Sequence, residues 1–394
     1  MSSAPYRPAP LAGLRVLDLG QVLASPFGAY LLALLGADVV KVEPPGGEWL
    51  RRGGSLGFAT QNADKRSVVV DLKQDGAADI VLRLVEEADV FLEGFAPGTA
   101  EAMGLGWEAV RARNPKIVYT SLSAFGDAGP FAGRPGFDHV VQAASGIMTS
   151  TGFPGSPPTK VGSPYLDYGG GLLLGFATLA AVLEQRRTNE AVRADVNMLD
   201  AGLLFNAGGL VRSANQGVDL PRTGNAAFSG AVASGAFETT DGLLMVAANK
   251  VSHFVRLCDL LGLDDLADRT ELAFPGADPA EVEKARGRMA DQFLTTSASE
   301  WEDRLAGARI PGARVRSVLE TIADGHPIER GLLTEVDIDG ATTLLPTAGI
   351  RLNGVMPGPT EPPPTIGQHT DEVLLAAGYS TTELADLRQR GLIT

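Results

Sequence analysis

The stretch Leu14-Arg-Val-Leu-Asp-Leu-Gly-Gln-Val-Leu-Ala-Ser-Pro-Phe-Gly-Ala-Tyr-Leu-Leu-Ala-Leu-Leu-Gly-Ala-Asp-Val-Val-Lys-Val-Glu43 decides the fold. Arg15–Leu19 is a short run rich in apolar residues and reads as a strand. Pro26–Leu35 reads as a helix. Pro26 suits a first turn, where its missing N–H costs nothing, and Gly36 suits the residue that ends it. Asp38–Val42 is a second strand. Apolar, β-rich runs separated by helices imply a mostly parallel sheet covered on both faces.

The same alternation continues outward. Ser67–Leu72 reads as a third strand and Ala77–Ala88 as a helix with one charged face, while Asp89–Phe95 and Lys116–Ser123 complete the sheet. The expected fold class is therefore α/β. Ligands of such sheets sit beyond the carboxyl ends of the strands, where this chain places Gln21, Glu43, Lys73, Phe95 and Phe125. Gly126–Gly162 reads as loop with a short helix near Asp138–Ser145, and a long helix follows from about Gly170 to Arg187. We expect residues 1–200 to form the large domain, with 331–394 returning to it. Residues 201–225 read as a linker and 226–330 as a small domain. In the small domain, Ala236–Ala248 looks like a hairpin turning at Asp241–Gly242, and Ser252–Leu261 and Ala280–Phe293 look helical. Phe228–Gly235, a Gly/Ser/Ala loop, is expected to contribute to a pocket.

Composition excludes several classes. A formal net charge of −14 argues against nucleic-acid and anionic-membrane partners, which need clustered Lys and Arg. One cysteine, Cys258, cannot form an internal disulfide, and the four histidines show no metal-ligand spacing, so no metal is expected. A cytoplasmic setting is the simplest expectation. Met1–Pro10 lacks an apolar signal core, and the apolar run Leu172–Leu183 is too short to span a bilayer. No GxGxxG follows the first strand and no GxxxxGK[ST] occurs. Gly53-Gly-Ser-Leu-Gly57 matches GxSxG, but Arg51-Arg52 precede it where that motif needs a strand.

The segment Val161-Gly-Ser-Pro-Tyr-Leu-Asp167-Tyr-Gly-Gly-Gly171 carries the most chemistry. An aspartate before a helix can cap it, because its oxygens satisfy free backbone N–H groups. It can equally be a carboxylate nucleophile, with glycines that let a bulky substrate approach the backbone.

Many segments, in order, bear on that choice. They include Leu14–Leu19, Gly36–Pro44, Asp64-Lys-Arg-Ser67 with Asp71-Leu-Lys73, and Ala88-Asp-Val-Phe-Leu-Glu93. Phe125-Gly-Asp-Ala-Gly-Pro130, Asp138–Gly146 and Ile366-Gly-Gln-His-Thr-Asp371 extend the series. Together they resemble the class III CoA-transferases of the formyl-CoA and carnitine type. The resemblance implies a large Rossmann-like domain, a smaller domain and an interlocked, ring-like homodimer. It implies an acyl-CoA and a carboxylic acid as substrates, with coenzyme A as the group moved. Asp167 matches the aspartate that forms an acyl anhydride and then a CoA thioester. Gln21 matches a glutamine near the thioester, and Asp138 an acidic residue beside the active site, expected to orient a partner rather than react. Lys41 matches a basic residue that meets the CoA phosphates or adenine. Asn62, Lys65, Arg66, Leu72 and Lys73 fall in the adenine and phosphate region, and Phe95 completes that expected set.

The chain also departs from the family. Ala96 and Ala102 stand where arginines are frequent, with Arg51, Arg52, Arg111 and Arg134 as possible replacements. A sister branch racemises 2-methylacyl-CoA thioesters with two bases. Its histidine falls at Phe137 here and its glutamate near Ala248-Asn249-Lys250. If this piece is helical, His139 turns away from the Phe137 position. The racemase and a non-catalytic acyl-thioester binder are the alternatives.

Overall fold

The computed structural model describes residues 7–227, 230–274 and 276–394, so Phe228 and Ser229 of the expected pocket loop lie outside the described residues. Six strands make one sheet: β1 (Arg15–Leu19), β2 (Asp38–Glu43), β3 (Arg66–Val69), β4 (Val90–Glu93), β5 (Val118–Ser123) and β6 (Val192–Asn197). Their order is β3-β2-β1-β4-β5-β6 and every neighbouring pair is parallel. The helices between them are α1 (Ala24–Leu34), α2 (Ser55–Asn62), α3 (Ala77–Val85), α4 (Thr99–Ala102), α5 (Trp107–Arg113), α6 (Asp138–Ala144), α7 (Ile147–Ser150) and α8 (Tyr165–Thr188). After β6 come α9 (Met198–Phe205) and α10 (Ala207–Gln216).

Strand side chains alternate between two cores. Leu17, Leu19, Val40, Val42, Val68 and Phe91 pack with α3, α5 and the C-terminal helices Thr370–Ala376 and Thr381–Gln389. Val16, Val39, Val90, Leu92 and Val118 pack with α1 and α8. Burial on both faces is why these strands are rich in apolar residues at successive positions, broken in β1 and β2 only by the buried, paired Asp18 and Lys41. The order reverses between β1 and β4, and the crevice beyond their carboxyl ends is where such sheets take ligands.

Helices α1 and α8 set the geometry there. A Cβ on Gly171 would stand 2.5 Å from the Ala24 carbonyl oxygen, and one on Gly175 would stand 3.8 Å from that of Gly28. Contacts that advance together along both chains mean the helices run side by side in the same direction. The first turn of α8 therefore projects past the start of α1, towards the Gly20–Leu23 turn that leaves β1.

Three expectations change. Helix α8 starts at Tyr165 rather than near Gly170, and its first glycines are packed against neighbouring elements rather than open to a bulky substrate. A Cβ on Gly169 would lie 2.2 Å from the Phe205 ring. At 24 residues, α8 is long and apolar enough to cross a membrane, although the apolar run within it looked too short; half of that apolar window is buried, as in a core helix. Residues 201–225 are not a bare linker, because α9 and α10 occupy them as far as Gln216. Asn197 caps α9 by accepting the Asp200 N–H.

Among the described residues, one compact unit holds 7–148, 160–219 and 327–394, and the other holds those of Thr149–Thr159 and Leu220–His326. In the second, β7 (Ser234–Glu238), β8 (Leu243–Ala247) and β9 (Gly312–Arg314) form an antiparallel sheet. Helices Val251–Leu261, Pro279–Phe293 and Ala298–Gly307 pack with β7 and β8 in its core.

Candidate active site

A cavity of about 530 Å³ opens at the start of α8, lined among others by Val22, Trp49, Phe137, Asp138, His139, Lys160 and Asp167. Asp167 is the third residue of α8, and no side chain caps that helix at Pro164. The capping reading of Asp167 thus gives way to a half-buried carboxylate on a cavity wall. Burial, with the Asp138 carboxylate adding to it, pushes the Asp167 carboxyl up to about 6.

Asp138 opens α6 and is buried. One carboxylate oxygen accepts the Leu166 N–H at 2.7 Å, and the other accepts Gln142 Nε2 at 2.6 Å. Gln142 Oε1 in turn accepts the Val161 N–H at 2.8 Å. These bonds tie α6 to the turn that presents Asp167, so both oxygens of Asp138 already serve to position it.

The titration of Asp167 has a kinetic consequence. A reaction that needs its ionised form should keep its rate at neutral pH and lose it as pH falls through about 6. Removing the neighbouring charge with Asp138→Asn should move that acid limb to lower pH. A pH profile of kcat/KM for both proteins tests this, and an unmoved limb would rule out the electrostatic coupling.

Gln21 is exposed on the turn after β1, and its neighbour Val22 lines the cavity. Val22 holds a φ of 68°, a left-handed backbone that a β-branched residue rarely adopts. What holds it there corrects three expected coenzyme contacts. Lys41, Lys65 and Asn62 are buried beneath this turn instead of facing a ligand. Lys65 Nζ lies 2.7 Å from an Asp18 oxygen, 2.9 Å from the Pro26 carbonyl and 3.0 Å from Asn62 Oδ1. Lys41 Nζ donates to the Gly20 carbonyl at 2.7 Å and lies 3.4 Å from Glu48 Oε2, which also accepts the Val22 N–H at 3.1 Å. A strand lysine reads as solvated from sequence, but here burial is offset by paired acids.

Arg66 begins β3, so it stands at the end of the sheet opposite the crevice. It is paired with Asp38 at 2.5 Å and with Glu372 at 3.2 Å. Leu72, Lys73 and Phe95 do stand beyond strand carboxyl ends: Lys73 is exposed, while Leu72 and Phe95 half-pack on the core. Arg51 is committed too, as a bidentate partner of Glu43 at 2.6 and 2.7 Å. Phe95 lines a separate pocket with Glu93, Glu101, Asp127 and Asp195 as well as Arg193. Burial pushes the Glu93 carboxyl up to about 7.

Sequence reasoning missed Val22, Trp49 and Lys160 as cavity residues. The one available signal was an isolated tryptophan, Trp49, in a polar loop. His139 does not turn away from the Phe137 position. Phe137 precedes α6 in extended conformation, so the helical rotation begins only at Asp138, and both rings line the cavity.

A parallel six-stranded sheet covered by helices on both faces, with a half-buried carboxylate on a cavity wall, defines an α/β protein of the doubly wound class. The profile described as CoA-transferase family III matches residues 11–370. A succinyl-CoA:mesaconate CoA-transferase from Haloarcula hispanica is 36% identical over 94% of this chain and 97% of its own length. A succinate–glutarate CoA-transferase from Agrobacterium fabrum is 32% identical over 95% and 97%. The crystal structure of Rv3272 from Mycobacterium tuberculosis superposes with a TM-score of 0.84 at 32% identity, covering 93% of this chain and all of that one. The chain belongs to CoA-transferase family III and is an enzyme of that family.

Proposed function

We propose that this enzyme moves CoA from an acyl-CoA to a carboxylic acid through covalent intermediates on Asp167. The observation that carries this is a half-buried carboxylate, the third residue of a 24-residue helix, at a cavity whose other acid is already hydrogen-bonded. Asp167 attacks the thioester carbonyl, the C–S bond breaks, and CoA leaves as a thiolate. The thiolate then attacks the Asp167 carbonyl of the resulting anhydride. The donor acid departs as a carboxylate and an aspartyl-CoA thioester remains. The acceptor carboxylate reverses the two exchanges, leaving as acyl-CoA. Each step swaps one anion for another, so no proton has to move. The N-terminal amides of α8 favour the negative charge that develops.

Leu72, Lys73 and Phe95 are the remaining positions for the distal part of CoA, and Gln21 extends the wall at the thioester. Incubation with acyl-CoA and hydroxylamine should convert Asp167 to a hydroxamate detectable by peptide mass spectrometry. An unmodified Asp167 peptide after turnover would sink the covalent route. His139 supplies an imidazole in the cavity, which an α-proton exchange reaction would need. Deuterium incorporation at the α-carbon without acyl transfer would favour that reading.

The homodimer is supported by an apolar face. Leu172, Phe176 and Leu183 of α8, Leu204 and Phe205 of α9, and Val211 of α10 are all exposed. An apolar surface of this kind usually marks an interface. Phe176→Glu is expected to shift the protein from dimer to monomer in sedimentation velocity; an unchanged dimer would place the interface elsewhere.

A further inference from the structure

Two residues of the cavity wall, Val22 and Trp49, hang on one short element. Trp49 opens the 3₁₀ helix Trp49–Gly53, and Glu48, directly before it, accepts the Val22 N–H at 3.1 Å. Five residues of 3₁₀ helix between Gly47 and Gly54, both left-handed or nearly so at φ 76° and 103°, do not hold their own place. Arg51, on the same helix, supplies the hold. Its Nε and Nη2 fork onto Glu43 at 2.7 and 2.6 Å, and its Nη1 donates to the Pro364 carbonyl at 2.9 Å. Its guanidinium lies 3.7 Å from the centre of the Phe58 ring. A Cβ on Gly47 would stand 2.5 Å from Arg51 Cδ and 3.1 Å from Ile366 Cδ1, so the chain is glycine where Arg51 and the C-terminal segment cross it. Glu43 has no exposed side-chain surface, and it also accepts the Glu48 N–H at 3.2 Å and the Ser67 hydroxyl at 2.6 Å. Ser67 closes the circuit: its hydroxyl accepts the Gly367 N–H at 3.0 Å, and His369 Nδ1 accepts its N–H at 3.1 Å.

We propose that Arg51 is a positioning residue for the reaction. It ties the helix bearing Trp49 to the end of β2 and to the segment Pro364–His369, which thereby shares in setting the wall of the Asp167 cavity. This rests on Asp167 being the reacting group. The fork carries the argument, because two parallel bonds fix orientation as well as distance. Every nitrogen of the guanidinium is already engaged, so Arg51 serves a substrate through the wall it holds and not by touching it. Salt and water wear away exposed pairs, but little of this one is open to them.

Arg51→Met keeps the apolar length over Phe58 and removes the guanidinium. At temperatures where circular dichroism shows it folded, it should lose about 10- to 100-fold in kcat/KM, mostly in kcat, the scale of a misplacement of about an ångström. Arg51→Lys, with one nitrogen instead of a fork, should recover only part of that loss. The double variant Glu43→Gln/Arg51→Met removes the buried charge that the single change strands. Its melting temperature should therefore rise above that of Arg51→Met while its turnover stays low. Hydrogen exchange reads the positioning directly. In the double variant the Val22 amide should exchange at least about tenfold faster, together with the peptide at Thr365–Gln368, while β4 keeps its protection. Wild-type turnover in the double variant overturns the proposal. So does exchange that speeds equally at Val22 and in β4, which would give the ion pair a purely structural role. A peptide at Thr365–Gln368 that stays fully protected while Val22 loosens overturns the role given to the C-terminal segment. Hydroxamate trapping on the wild-type enzyme reports separately on CoA transfer. Lost turnover and a loosened Val22 without any trapped Asp167 would mean that the covalent reading has failed while the role of Arg51 stands.

Discussion

Asp167→Asn is expected to lower kcat by about 10⁴-fold or more while leaving the melting temperature unchanged or slightly raised. The kinetic size follows from the loss of a nucleophile that every step uses, since such residues act as a unit with their surroundings. The thermal direction follows from electrostatics. Burial and Asp138 push the Asp167 carboxyl up to about 6, so the folded state holds its proton more tightly than the unfolded chain does. Between the ordinary carboxylate range and about 6, ionisation is therefore less favourable in the folded protein, and this group makes the fold less stable as pH rises through that window. Asparagine removes the charge and the penalty together. A merely structural aspartate would do the reverse, losing stability on substitution and keeping turnover. Asp167→Glu gives a second measure. Its extra methylene displaces the carboxylate by about an ångström, which costs on the order of 10²-fold. Steady-state kinetics and differential scanning calorimetry on both variants decide the matter. A fully active Asp167→Asn would remove the covalent mechanism altogether.

What the sequence disclosed and what it hid divide along a physical line. Strands such as Val90–Leu92 were legible because burial on both faces demands apolar residues in succession. The hairpin of β7 and β8 and the helices at 251–261 and 279–293 were legible from turn and periodicity signals local to each. The start of α8 was not. Gly169, Gly170 and Gly171 lower helix propensity, and only the Phe205 ring and the Ala24 carbonyl pressed against them show why a side chain is excluded. The buried lysines were hidden for the same reason. Nothing local to Lys41 or Lys65 tells that Asp18 and Glu48 lie beside them. The placement of Thr149–Thr159 with the second unit depends on contacts with residues far along the chain. At the site, Asp167 stood out by its glycine-rich setting, whereas the task of Asp138, accepting the Leu166 N–H, is a tertiary fact.

Lys65→Met is expected to destabilise the protein by about 3–5 kcal/mol, because it leaves a buried acid without its nearest partner. Lys65 and Asp18 have no exposed side-chain surface. Burial alone would raise the Asp18 carboxyl, but Lys65 and Lys41 outweigh it and hold it below the usual range. Burial takes the Lys65 ammonium down to about 8, so Asp18 only partly compensates its desolvation. Asp18 thus contributes stability above its unfolded value that is lost as pH falls through its lowered one, and Asp18→Asn should flatten the acid limb of stability. Without Lys65, the one cation left to Asp18 among the described residues is Lys41, 3.9 Å away. The damage should reach the active site, because the same network fixes the turn above it. Asp18 accepts the Gly20 N–H at 2.8 Å, Lys41 holds the Gly20 carbonyl, and Glu48 holds the N–H of left-handed Val22. A strained residue persists only while its surroundings over-determine it. Urea denaturation should therefore show the double variant Asp18→Asn/Lys65→Met to be less destabilised than the sum of the single variants. Both single variants should lose kcat/KM even at temperatures where they remain folded. A loss below about 1 kcal/mol for Lys65→Met, the range of an exposed pair, would mean that water reaches this network and that Val22 is held by something else.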